Sequence, residues 1–232
     1  MNVHIKPLFV KDYIFLSLAE RKKVFLGIEC ATLFVFLPIL MYIYRHDIAF
    51  KLIPLLVIAS VLCCAYLLKN NELVLHKLLY SNRVHDHLKQ IIVSFLPIAL
   101  LMTIFTYFFV NNRFFVFPIA KPGACWMFIL IYPILSALPQ EIIFKSFFFH
   151  RYRSLFPTDK AIIIFNGLCF GLAHLWYANM IAPVISAFGG MLLAYRYLKT
   201  NSLLMVSIEH SIWGIFIYCI GLGWYFYSGS IQ

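Results

Sequence analysis

Seven apolar runs, most of them close to 20 residues long, constrain what this chain can fold into. A helix needs about 20 apolar residues to cross about 30 Å of hydrocarbon, and only helices or closed barrels satisfy the backbone there. The runs are residues 24–44, 50–68, 91–110, 124–149, 161–176, 180–197 and 202–225. They predict an all-α, polytopic transmembrane helical bundle of about seven spans.

The composition is that of a protein surrounded by lipid rather than by water. Of its 232 residues, 63% are hydrophobic and 12% are charged, whereas a soluble domain carries roughly 25% charged residues. The formal net charge is +10, but the basic residues are scattered between the apolar runs rather than clustered. This scatter argues against nucleic acid as a partner. We therefore expect membrane lipids as partners, and the oligomeric state stays open.

The basic residues also predict the orientation of the bundle. With seven spans and a cytoplasmic N-terminus, 15 of the 19 lysines and arginines fall on the cytoplasmic side, as the positive-inside rule requires. We therefore expect a multi-pass protein of the inner (cytoplasmic) membrane of a bacterium. Residues 1–123 should hold an interfacial helix near residues 9–18 and three spans, and residues 124–232 should form a core of about four spans.

Several local features of the sequence add detail to the predicted helical bundle. The connection at residues 69–90 has the periodicity of a short amphipathic helix, and residues 114–122 are expected to form a surface or re-entrant segment. Pro133 and Pro139 predict kinks in the fourth span. Glu29 lies near the basic cluster at residues 21–23 and is expected to pair or snorkel there. Glu209, beside His210, is expected to be a supporting or packing charge.

Among the ionisable side chains inside the last four apolar runs are Glu141, His174 and His210, which stand on three separate spans. A charged side chain at membrane depth costs about 2.5–3.5 kcal/mol, so such a residue marks a functional site by default. Counted from the cytoplasmic ends of their runs, Glu141 and His210 lie about 14 Å deep and His174 about 21 Å deep. The three groups are therefore predicted to meet near the middle of the membrane.

Glu141 is the candidate general base, because a carboxylate can take a proton from water. The alternative is that it only pairs with Lys145, its i+4 neighbour, and neutralises a buried charge. The two histidines are suited to orienting water, stabilising an oxyanion or simply packing with a hydrogen bond. Two histidines and one carboxylate also fit a divalent metal. Because H-E-x-x-H is absent, the metal is a minor alternative and no cofactor is expected.

Helical spacing adds supporting residues around the histidines. Asn166, Phe170 and His174 are spaced i, i+4, i+8, so they share one helix face. Gly214 follows His210 by one turn and leaves room beside the imidazole.

The chain resembles the CPBP family, also called the Abi family, which contains CAAX prenyl endopeptidases and bacteriocin-processing or immunity-type membrane proteins. The family motifs E-E-x-x-x-R, F-x-x-x-H and H-x-x-x-N have their counterparts at residues 140–145, 170–174 and 210–214, each on a separate span. The resemblance covers about residues 124–227. It implies an intramembrane glutamic-type endopeptidase, with residues 124–232 as the catalytic core and a membrane-associated peptide or protein as substrate.

Three positions depart from the family motifs. The first glutamate of the family, which activates water, is Gln140 here. Its arginine is Lys145, which keeps the charge but loses the planar fork. Its final asparagine, an oxyanion donor, is Gly214.

Two interpretations follow from these departures. In one, Glu141 with His174 activates water, while His210 and an amide of Gln140 or Asn166 hold the oxyanion. In the other, catalysis is lost, and an adaptor or immunity-type protein binds a peptide or lipid tail in the same cavity. A transporter would show inverted repeats, and none is convincing in this sequence.

Overall fold

The computed structural model describes residues 18–48, 51–70 and 84–227. Within these ranges seven helices are long and apolar enough to cross a membrane, which confirms the predicted all-α bundle and makes the chain a multi-pass membrane protein. Spans 1 to 7 are Glu20–Ile43, Leu52–Lys69, Asp86–Phe109, Pro122–Leu155, Asp159–Tyr177, Ile181–Thr200 and Leu203–Ile220. The orientation and the division at residue 123 stay predictions. The helices predicted near residues 9–18 and within 69–90 lie largely outside the described residues.

Short helices and side-chain caps shape the connections between spans. The short segments are Arg45–Ile48, Asn111–Arg113, Val116–Ala120 and Leu222–Phe226. The hydroxyl of Thr158 accepts a hydrogen bond from Ala161 N before span 5, and the hydroxyl of Ser202 accepts one from Met205 N before span 7. Such caps satisfy backbone N–H groups that have no partner within the helix. The helix Val116–Ala120 lies within the predicted surface segment at 114–122, so this segment is partly helical.

Span 4 continues as one helix through its two prolines. It contains two π-helical turns, Pro133–Ala137 and Ile142–Phe147. Leu138 N donates to the carbonyl oxygen of Pro133, five residues earlier, as a π turn requires. Proline lacks an N–H and crowds the preceding turn, so a wider turn accommodates it. The predicted kinks are thus π turns on both sides of Glu141.

Spans 5 and 6 approach each other closely at small residues. A Cβ built on Gly171 would lie 2.8 Å from the carbonyl oxygen of Pro183 and 2.9 Å from the Cβ of Ala187. A Cβ on Gly167 would lie 2.8 Å from the carbonyl oxygen of Ala187. Only glycine fits such an approach, which is common where membrane helices pack. The glycine pair therefore fixes span 5, which carries His174, against span 6.

Polar contacts join the first three spans to the rest of the bundle. Arg151 of span 4 donates to both carboxylate oxygens of Glu29, at 2.7 and 2.9 Å, and Tyr152 donates to the same carboxylate. The expectation that Glu29 pairs within its own span is therefore wrong. Arg196 of span 6 binds Glu209 of span 7, so Glu209 is a buried charge that packs between these two spans. Arg196 also donates to Gln90 of span 3.

Candidate active site

Span 4 carries Glu141 into the centre of the bundle. The residue lies between the two π turns of span 4, and its side chain is fully buried. A π turn rotates the residues that follow it around the helix axis, and such turns often occur at functional sites. Glu141 therefore points into the protein rather than toward the acyl chains.

The carboxylate of Glu141 binds His210 of span 7. His210 Nδ1 lies 2.7 Å from Glu141 Oε1. An ionised carboxylate only accepts hydrogen bonds, so Nδ1 carries the hydrogen and Nε2 is left for another partner. The contact therefore fixes both the orientation of the ring and the nitrogen that it can offer.

Lys145 is the second buried neighbour of Glu141. Its Nζ lies 3.9 Å from Glu141 Oε2 and donates to Asn166 Oδ1 at 3.0 Å. Asn166 Nδ2 in turn donates to the carbonyl oxygen of Phe144 at 2.6 Å. Glu141 therefore contacts Lys145 and His210 at the same time, and the pairing with Lys145 does not compete with the histidine contact.

His174 stands where the α-helical part of span 5 passes into the 3₁₀ turn His174–Tyr177. Its Nδ1 lies 2.8 Å from the carbonyl oxygen of Phe170. A carbonyl oxygen only accepts, so Nδ1 carries the hydrogen and Nε2 of the neutral ring carries a lone pair. That lone pair can accept a proton from water.

The phenyl ring of Phe170 contacts the other groups of the site. Its centroid lies 4.9 Å from that of His174 and 5.6 Å from that of His210. Lys145 Nζ lies 5.1 Å from the same centroid, a cation–π distance. The two imidazoles therefore come together on one ring although they belong to spans 5 and 7.

A cavity of about 570 Å³ lies beside the two histidines. Apolar side chains of spans 3, 6 and 7 form most of its wall, and the site residues that line it are Phe170, His174, His210 and Gly214. Gln140, Glu141, Lys145 and Asn166 do not line it. The imidazoles, rather than the carboxylate, therefore face the cavity.

The two amides considered as oxyanion donors are directed elsewhere. Gln140 Nε2 donates to the hydroxyl of Ser136 at 2.9 Å. Asn166 is held between Lys145 and the carbonyl of Phe144. The structure does not bring either amide to the cavity, because each one is bound to a partner within the helix bundle.

Sequence reasoning missed Tyr132, which lines the cavity from span 4. Its ring centroid lies 6.1 Å from that of His210. A Cβ built on Gly214 would overlap the ring and hydroxyl of Tyr132. Tyr132 therefore fills the room that the glycine was expected to leave beside His210. The glycine was the only signal in the sequence, since Tyr132 is one of 14 tyrosines and belongs to none of the three motifs.

The geometry does not fit a metal ion at the three ionisable residues. Across the part of the chain that the structure describes, no group of three His, Cys, Asp or Glu side chains is arranged to hold one. Glu141 Oε1 and His210 Nδ1 bind each other, so these two atoms are not free to share an ion.

Comparison with protein-family models matches residues 122–216 to the family described as Type II CAAX prenyl endopeptidase Rce1-like. The matched segment contains Glu141, His174 and His210, and it runs from the start of span 4 into span 7. Comparisons of the chain with curated proteins and with solved structures found no match.

Proposed function

We propose that the Rce1-like domain at residues 122–216 of this chain is an intramembrane endopeptidase that hydrolyses peptide bonds of a membrane-associated substrate. One observation supports this most. Two imidazoles from different spans face one cavity, and a buried carboxylate holds one of them. Hydrolysis by water needs a proton acceptor and a hydrogen-bond donor on either side of a bound carbonyl.

In the proposed mechanism His174 activates the water. The hydrogen bond from Nδ1 to the carbonyl oxygen of Phe170 leaves the lone pair on Nε2, and His174 lines the cavity. Nε2 takes a proton from water while the water oxygen forms a bond to the carbonyl carbon of the peptide. Glu141 was expected to contact this water, but its complete burial supports a positioning role through His210 instead.

His210 stabilises the oxyanion that forms in this step. The electron pair of the carbonyl π bond moves onto the carbonyl oxygen, and His210 donates to that oxygen from Nε2 when its ring carries both hydrogens. Glu141 supplies the counter-charge to this form through the contact with Nδ1. Donors aimed at developing charge in a site that excludes water contribute strongly to catalysis.

The intermediate then collapses to products. The electron pair returns to form the carbonyl bond, the carbon–nitrogen bond breaks, and His174 returns its proton to the leaving nitrogen. One water is consumed, and the products are a new carboxyl group and a new amine. His174 thus serves as base and then as acid, which is a common role for an imidazole.

The apolar wall of the cavity supports a substrate that enters from the membrane. Spans 3 and 6 contribute aliphatic and aromatic side chains to it, among them Ile98, Met102, Phe105, Val184 and Leu192. Such a wall favours burial of an apolar segment next to the scissile bond. The distribution of basic residues supports a bacterial cytoplasmic membrane with the N-terminus inside.

The experiment uses the full chain in liposomes with a library of membrane-tethered peptides. Products are identified by mass spectrometry in normal water and in ¹⁸O-water. The wild type should yield products whose new carboxyl group gains one ¹⁸O. His174→Ala should yield none, while the matched control His46→Ala, an exposed histidine outside the cavity, should cleave as the wild type does.

Cleavage by His174→Ala at the wild-type rate would refute the mechanism. Retention of a peptide by the wild type without cleavage would instead support the alternative function, an adaptor or immunity-type protein. The departures at Gln140 and Gly214 are the observations that favour that alternative.

A further inference from the structure

We infer that the hydroxyl of Tyr132 is a second oxyanion donor, which acts beside His210 on the carbonyl oxygen of the substrate. The inference rests on the proposed function and assigns a catalytic residue that lies outside the three motifs. A tetrahedral oxyanion is held best by more than one donor, and the amides of Gln140 and Asn166 do not reach the cavity.

The ring of Tyr132 is held in place by its neighbours. It stacks on Phe128, with centroids 4.8 Å apart and an interplanar angle of 29°. On another side it meets His210 edge to face, with centroids 6.1 Å apart and an angle of 73°. Pro133, the next residue, starts the first π turn of span 4. A donor fixed in this way needs little reorganisation when charge develops.

The hydroxyl of Tyr132 is available for a ligand. Among the residues that the structure describes, no hydrogen bond to it is seen, and the residue lines the cavity. A nearby tyrosine shows the contrast, because the hydroxyl of Tyr218 donates to the carbonyl oxygen of Phe226 at 2.6 Å. An unbound hydroxyl beside an active-site imidazole is therefore free to donate into the cavity.

The ring of Tyr132 occupies the space that a side chain at position 214 would need. Any Cβ at position 214 would overlap the ring and hydroxyl of Tyr132. In the family motif this position carries the asparagine donor, one helical turn after the histidine that is His210 here. The tyrosine therefore brings its hydroxyl to the place from which an asparagine at 214 would donate.

The chemistry is a hydrogen bond without proton transfer. As the carbonyl oxygen gains the electron pair, the Tyr132 O–H donates to it and keeps its hydrogen. When the carbon–nitrogen bond breaks and the carbonyl re-forms, this hydrogen bond weakens again. Because the interaction is strongest in the transition state, its loss lowers kcat more than it changes KM.

The first test removes only the hydroxyl. Tyr132→Phe should lower kcat by about 10²- to 10³-fold, the range for loss of one oxyanion donor, with KM and the melting temperature unchanged. Tyr107→Phe is the matched control, since Tyr107 is exposed on span 3 and does not line the cavity. An active wild type with an equally active Tyr132→Phe would overturn the inference and leave the proposed function standing.

The second test replaces the tyrosine donor at position 132 by an asparagine donor at position 214. Gly214→Asn alone should lower the melting temperature and abolish cleavage, because the new side chain collides with Tyr132. Adding Tyr132→Ala should recover the melting temperature and part of the lost kcat. A Gly214→Asn protein as stable as the wild type would overturn the inference even without an activity measurement. A wild type that cleaves no peptide would remove the proposed function and this inference with it.

Discussion

Glu141 and His210 are 69 residues apart in the chain, yet Oε1 of the first lies 2.7 Å from Nδ1 of the second. The contact joins span 4 to span 7, and both residues lie within the family-matched segment. The carboxylate therefore contacts a ring that lines the cavity without lining it itself, and under the proposed mechanism its effect on catalysis should be separable from folding.

Glu141→Gln keeps the size of the side chain and removes its negative charge. We expect kcat to fall by about 10²-fold or more, as for loss of an oxyanion donor, because His210 loses the carboxylate that supports its donating form, with KM little changed. Steady-state kinetics on a cleaved peptide measure both parameters. Asp47→Asn, which neutralises an exposed carboxylate, is the control, and Glu141→Asp should recover part of the activity. A Gln variant with wild-type kcat contradicts the positioning role.

Arg196→Met should destabilise the bundle and leave the cavity lining unchanged, because Arg196 does not line the cavity. Arg196 Nε lies 3.2 Å from Glu209 Oε2, and its other nitrogens donate to Gln90 and Ser94 of span 3. Removing the guanidinium leaves the carboxylate of Glu209 buried and unpaired, which costs about 3–5 kcal/mol. Unfolding by a denaturing detergent in mixed micelles measures this free energy.

The double variant Arg196→Met/Glu209→Leu separates charge from packing. Replacing a buried ion pair by apolar residues is often neutral or stabilising, so the double variant should unfold at a higher denaturant concentration than the single one. Equal destabilisation of both variants would show that the contacts with span 3, rather than the unpaired charge, set the cost.

Gly171→Ala should weaken the packing of span 5 on span 6. The added methyl group meets the carbonyl oxygen of Pro183 at 2.8 Å, so one helix must move. Overpacking of this kind costs about 1–3 kcal/mol. Gly27→Ala is the matched control, because no atom lies within 4 Å of its added Cβ. Thermal unfolding that ranks the two variants in the opposite order would contradict this account.

The orientation can be tested by labelling introduced cysteines in intact cells. Asn112→Cys and Lys160→Cys lie at opposite ends of the bundle in the predicted topology, and both positions are exposed. A membrane-impermeant maleimide should label position 112 in intact cells and position 160 only after lysis. The unmodified chain gives the background from its own cysteines. The reverse pattern would place the N-terminus outside.

The sequence predicted the features that depend on hydropathy and on helical rise. The spans follow from the length of each apolar run. That Glu141 and the two histidines would meet follows from counting residues along each helix, and the structure brings them together. The partners of Glu29 and the position of Tyr132 could not be found in this way. Both depend on how helices rotate against each other, and the two π turns of span 4 change that rotation locally.

Phe170 has a consequence beyond packing. Its ring touches both imidazoles on the cavity side and the ammonium group of Lys145 on the buried side. The phenyl ring therefore lies between the fully buried side chain of Lys145 and the cavity that His174 and His210 line. A smaller residue at position 170 would remove this separation and expose the side chain of Lys145 to the cavity.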